Sequence, residues 1–87
     1  MSYNYQTERA EIFTEAGQVS FLAIRDKVKN MLRISGAFQM GNAIEAGRSG
    51  SSWTFMACVD RLVELGEIVE ITPPNSCAGQ YRTFRAA

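Results

Sequence analysis

The sequence predicts a small α+β domain, with helices first and a β-hairpin last. Apolar residues recur at three- and four-residue steps from Phe21 to Leu65. After Gly66 the period changes to two, and two alternating runs flank a Pro-, Gly- and Ser-rich turn over residues 73–79. Size bounds the rest: 87 residues make one domain, burying roughly 60–65% of its unfolded surface. With 46% hydrophobic and 21% charged residues, the chain has the composition of a globular protein, not a disordered tail or disulfide scaffold. Residues 1–18 are expected to form an arm or short helix, and residues 19–87 the domain proper.

Each element has its own signal. Residues 7–16 set Glu8, Arg9, Glu11 and Glu15 around Ile12, Phe13 and Ala16, and Gly17 is a stop for a short helix. Ser20 is the expected cap of a helix reaching Arg33, with Phe21, Ile24, Val28 and Leu32 on its apolar face. Arg25, Asp26, Lys27, Lys29 and Asn30 fill the other face, and Ser35-Gly36 ends it. Residues 37–39 read as an extended connector. Residues 40–46 allow two helical turns, with Met40, Ala43 and Ile44 inward. Gly47-Arg48-Ser49-Gly50 is a tight turn. Ser51 or Ser52 caps the strongest helix, where Phe55, Val59 and Leu62 repeat at i, i+4 and i+7. Gly66 closes it, because a left-handed conformation there is cheap only for Gly. Residues 67–72 and 80–85 are the two expected strands.

Several function classes are disfavoured. Nine basic residues balance nine acidic ones, a poor match for attraction to nucleic acid or anionic lipid by charge alone. The absence of His removes the commonest general base and metal ligand. Cys58 and Cys77 form no CxxC pair, and two thiols without His cannot complete a tetrahedral zinc set. The carboxylates are scattered. Residues 47–52 resemble a phosphate loop but lack its Lys and a preceding strand. No enzyme, cofactor, metal or small-molecule effector is expected. With no apolar run of membrane-spanning length and no signal peptide, a cytoplasmic protein with reduced thiols is expected.

The order of elements resembles the winged helix-turn-helix family over residues 19–85. The most specific stretch is Leu62-Val63-Glu64-Leu65-Gly66-Glu67-Ile68, which looks like the end of a recognition helix entering the first wing strand. Phe55 and Val59 stand at the family's apolar positions seven and three before Leu62, Gly50 at its small turn residue, and residues 79–84 as the returning strand. The resemblance implies three core helices, a two-stranded wing and sequence-specific double-stranded DNA binding by a transcription regulator of bacterial or mobile-element type. Length and order are similar to the small regulators of plasmid and fimbrial operons, the PapI/FaeA-type group.

It also implies an interface. The recognition face would begin near Ser51, Ser52, Trp53 and Thr54 and continue through Met56, Ala57, Asp60 and Arg61. Hydroxyls at a helix N-terminus, with free N–H groups and the positive dipole end, suit a phosphate, although capping explains Ser51 and Ser52 equally. Arg48 adds a cation in the turn. Thr54 or Ser52 would reach a base edge or the backbone, and Arg61 the backbone. Met56 suits a thymine methyl or a partner protein, while Trp53 is expected to pack. Arg82 and Arg85 sit on the wing strand but alternate in parity, so they face opposite sides.

The departures point elsewhere. The helix holds a single Arg beside Asp60 and Glu64, and acids near phosphates cost affinity. A winged-helix protein-interaction module is therefore the alternative, and a homodimer built on residues 1–18 a third possibility. Charge is also uneven. Residues 25–33 hold four bases against one acid, and only Arg82 and Arg85 are charged after Ile71.

Overall fold

The computed structural model describes residues 3–44, 52–73 and 81–87. Among these, α1 (Tyr5–Glu8) is followed by a 3₁₀ turn (Arg9–Phe13) and the long α2 (Glu15–Ser35). Then come β1 (Ala37–Gln39), α3 (Met40–Ile44), α4 (Ser52–Glu64), β2 (Ile68–Glu70) and β3 (Thr83–Ala86). The class is α+β, as the change of period predicts.

α2 corrects two boundaries. It begins at Glu15, not Ser20, because Thr14 Oγ1 caps it by accepting from the Gly17 amide at 3.0 Å. It runs straight through Gly17, which is no stop. The segment ahead is not one helix through Ala16: α1 passes into the 3₁₀ turn at Arg9, that turn ends at Thr14, and Ala16 already belongs to α2. Gly17 serves a tertiary contact: an added Cβ would lie 1.8 Å from the Glu11 carbonyl oxygen. The Thr14 hydroxyl donates to that same carbonyl at 2.8 Å, and Gln18 Nε2 donates to the Ile12 carbonyl at 2.6 Å. The far end of α2 is as expected, with Gly36 at φ 78°.

α4 also ends as expected. The Gly66 amide donates to Val63 and the Glu67 amide to Leu62, both at 3.0 Å, with Gly66 at φ 78°. This pair of bonds satisfies carbonyls that a helix end leaves open.

The sheet has three strands where two were expected. Residues 37–39 are a strand, and the antiparallel order β1-β3-β2 places β3 in the centre. Phe38 lies opposite Phe84, and their rings stack at 5.3 Å. The Met40 amide continues the ladder to the Arg82 carbonyl at 2.7 Å. A connector alone would leave one edge of β3, and the apolar face of Phe84, without a partner.

Between sheet and helices lies the core. α2 gives Ile24 and Val28; α3 gives Met40 and Ala43; α4 gives Phe55, Cys58, Val59 and Leu62; the sheet gives Phe38, Ile68 and Phe84. Ile12 joins them at 1% exposure, so the first segment is tied into the same core. Burying each large side chain contributes about 1.5–3 kcal/mol.

Candidate nucleic-acid interface

α4 presents two sides. Phe55, Val59 and Leu62 face the core. Trp53, Ala57, Asp60 and Glu64, again stepping by three and four, lie on the opposite side. That side was expected to be open. Instead the start of the chain lies across it, and Ala57 is 0% exposed.

The covering contacts are specific. The Tyr3 hydroxyl donates to Asp60 Oδ2 at 2.6 Å, and its ring meets Trp53 edge-on at 6.5 Å. The Tyr5 hydroxyl and Arg9 Nη2 both donate to Glu64 Oε1, at 2.9 and 3.0 Å. Arg61 Nη1 donates to the same oxygen at 2.5 Å. The Arg9 and Arg61 guanidinium groups each lie 5.3 Å from the Phe13 ring centre.

The expected site residues scatter around this arrangement. Arg48 and Ser51 lie outside the described residues. Ser52 opens α4 and is exposed, and Thr54 beside it is half-buried. Met56 is half-buried against the core, not held out to a ligand. Arg61 is paired with Glu64. Arg82 is held from two sides. Its Nη1 and Nη2 grip Asp60 at 3.2 and 2.8 Å, and its Nε and Nη2 grip Glu70 at 2.9 and 2.8 Å. Arg85 stands opposite Val69 and donates to the Ala86 carbonyl at 2.9 Å; alternation along β3 puts it on the other face of the sheet from Arg82. On α2, Arg25 pairs with Glu67 at 3.1 Å, whereas Lys27, Lys29 and Arg33 make no ion pair with a described residue.

These networks move the protonation equilibria. Hydrogen bonds from Arg9, Arg61 and Tyr5 hold the Glu64 carboxyl down to about 2. Arg82 holds Glu70 below the usual carboxylate range. Burial, reinforced by the bond to Asp60, pushes the Tyr3 hydroxyl up. Burial also raises the Cys58 thiol to about 11, which leaves it protonated and inert at neutral pH.

A pH dependence follows. Glu64 titrates lower when folded than its ordinary value of 4.5, so its contribution is complete above pH 4.5 and fades as pH falls toward about 2. Glu70 acts in the same direction. The melting temperature is expected to drop through this window, and Glu64→Gln to flatten part of the drop. Parallel acid profiles for both proteins would show that the network does not form.

Tyr3, Tyr5, Arg9 and Phe13 were not expected at this surface. The available signal was the four-residue spacing of Tyr5, Arg9 and Phe13, which puts them on one side of a helical segment. Among the described residues no three of His, Cys, Asp and Glu gather as a metal set, and no helix is long and apolar enough to cross a membrane. Comparison with protein-family models, characterised protein sequences and solved structures finds no match.

Proposed function

We propose that the chain is a winged-helix domain that binds double-stranded DNA as a small transcription regulator of bacterial or mobile-element type. In this reading α3 and α4 are the helix-turn-helix and β2–β3 the wing. The strand pairing supports it. β1, which lies between α2 and α3, pairs with β3, which returns after α4. That pairing fastens β2 and β3 beside the helical pair through β1, which stands between α2 and α3 in the chain. The contact then begins at the N-terminal end of α4, through Ser52, Thr54 and the positive end of the helix dipole, and continues along the outer side of α4. Arg48, four residues before Ser52 in the sequence, adds a cation to this reading.

A labelled duplex pool tests this. Binding is expected at low salt, and log affinity is expected to fall linearly with log salt at about −0.9 per phosphate contacted. Arg48→Ala should weaken all sequences alike and reduce the slope by about 1. Absence of binding to any duplex at low salt would overturn the reading.

One observation favours the second reading, a protein-interaction module. Arg9, Arg61 and Arg82 are matched by Asp60, Glu64 and Glu70, so this side of the domain is electrically balanced. A balanced surface does not draw a phosphate backbone. Failure of every duplex, with a co-purifying partner protein, would select it.

A further inference from the structure

We propose that residues 3–9 are a releasable strap, closed over the outer side of α4, that limits ligand access to that side. The ligand in question rests on the DNA reading; the strap itself does not. Its root and its free part differ in kind. The root is fixed: Gly17 abuts the Glu11 carbonyl, Gln18 bonds the Ile12 carbonyl, and Ile12 is in the core. Ahead of the root, α1 has four residues and none is buried. A helix that short does not persist by itself. It is held by the hydrogen bonds of Tyr3, Tyr5 and Arg9 and by partial packing of the two tyrosine rings on the core, and polar contacts at an exposed or half-buried surface are individually weak.

Release leaves no carboxylate unmatched. Asp60 keeps its two bonds from Arg82, and Glu64 keeps its bond from Arg61. Closure, in contrast, leaves Arg9 Nε buried with no partner, and opening returns that donor to water. Two arrangements of one segment, each with its charges satisfied, are what a switch needs. The closed one lies against Trp53, Asp60 and Glu64, so no groove or partner reaches these side chains freely until the strap lifts.

Trp53 is the chain's one tryptophan, and Tyr3 packs on its edge. The test replaces all three holding residues, Tyr3→Ala, Tyr5→Ala and Arg9→Ala, and reads Trp53 emission, acrylamide quenching and duplex affinity. Emission is expected to shift to the red, quenching to rise about twofold, and the duplex to bind about three- to tenfold tighter, as the competent fraction grows. Circular dichroism checks that α2 and α4 persist, and the milder pair Tyr5→Phe and Arg9→Gln is expected to shift each readout partway. In the unaltered chain, amides of residues 7 and 8 are expected to exchange far faster than those of residues 57–62. Equal protection of the two segments would overturn the proposal, as would unchanged Trp53 signals in the variants. Opening without consequence is also decisive: if Trp53 becomes exposed and affinity stays level or falls, the strap does not limit access. If neither protein binds any duplex, the DNA reading fails, and exchange and Trp53 alone decide the strap.

Discussion

Replacing Gly17 with Ala is expected to destabilise the domain by about 3 kcal/mol or more, the upper range for forcing atoms into an occupied space. The sign is the informative part. In an open helix interior the same change stabilises by about 1 kcal/mol, since Gly is the poorer helix former. Here the new Cβ would stand 1.8 Å from the Glu11 oxygen and 2.8 Å from the carbonyl carbons of Glu11 and Ile12. All three are backbone atoms, so no side-chain rotation relieves them. The 3₁₀ turn must move off α2, which withdraws Ile12 from the core and breaks the Gln18 bond. The midpoint of urea unfolding reads the effect directly. A midpoint equal to or above that of the unaltered chain would show that the corner is not packed as described.

Phe84→Ala is expected to cost about 3–5 kcal/mol, the usual range for emptying a buried aromatic site. Phe84 is 0% exposed on the central strand and touches both halves of the fold. It stacks on Phe38 across the β1 pairing, and the Arg82 guanidinium lies 5.3 Å from its ring centre. Domains are stable by roughly 0.05–0.15 kcal/mol per residue, about 4–13 kcal/mol for 87 residues, so the loss is a large share of the total. Phe84→Leu keeps most of the volume and is expected to cost less than about 1.5 kcal/mol. A Phe38→Ala, Phe84→Ala cycle should return a coupling of about 0.5–1.5 kcal/mol from the ring pair. Equal costs for Phe84→Leu and Phe84→Ala would argue against a packed ring.

What was legible follows from how local each signal is. α2 and α4 were readable because Ile24, Val28, Phe55, Val59 and Leu62 repeat within their own helices, and Gly36 and Gly66 end them with local backbone geometry. β1 was not readable. Three residues are too few for a period, and what makes them a strand is Phe84, far along the chain. Gly17 misled because its role is a contact with a neighbouring segment, while local rules treat Gly as punctuation. At the candidate site, parity placed Arg82 and Arg85 on opposite faces. It did not reveal that Asp60 and Glu70 would surround Arg82, because those residues come from α4 and β2. The strap was hidden for the same reason: Tyr5 and Arg9 find Glu64 more than fifty residues away.

The central position of β3 has a consequence for biosynthesis. β1 is made early, at residues 37–39, yet its hydrogen-bonding partner spans residues 83–86. β2 waits for the same strand. During translation the helices can form as they emerge, but no two strands of this sheet can pair until β3 has left the ribosome. Phe38 and Ile68 lack the cover that Phe84 and β3 give them for that interval, the kind of exposed apolar surface that chaperones hold and that drives aggregation. Sheet closure is therefore a single late event with long-range contacts, and a nascent chain halted before residue 83 carries helices without a sheet.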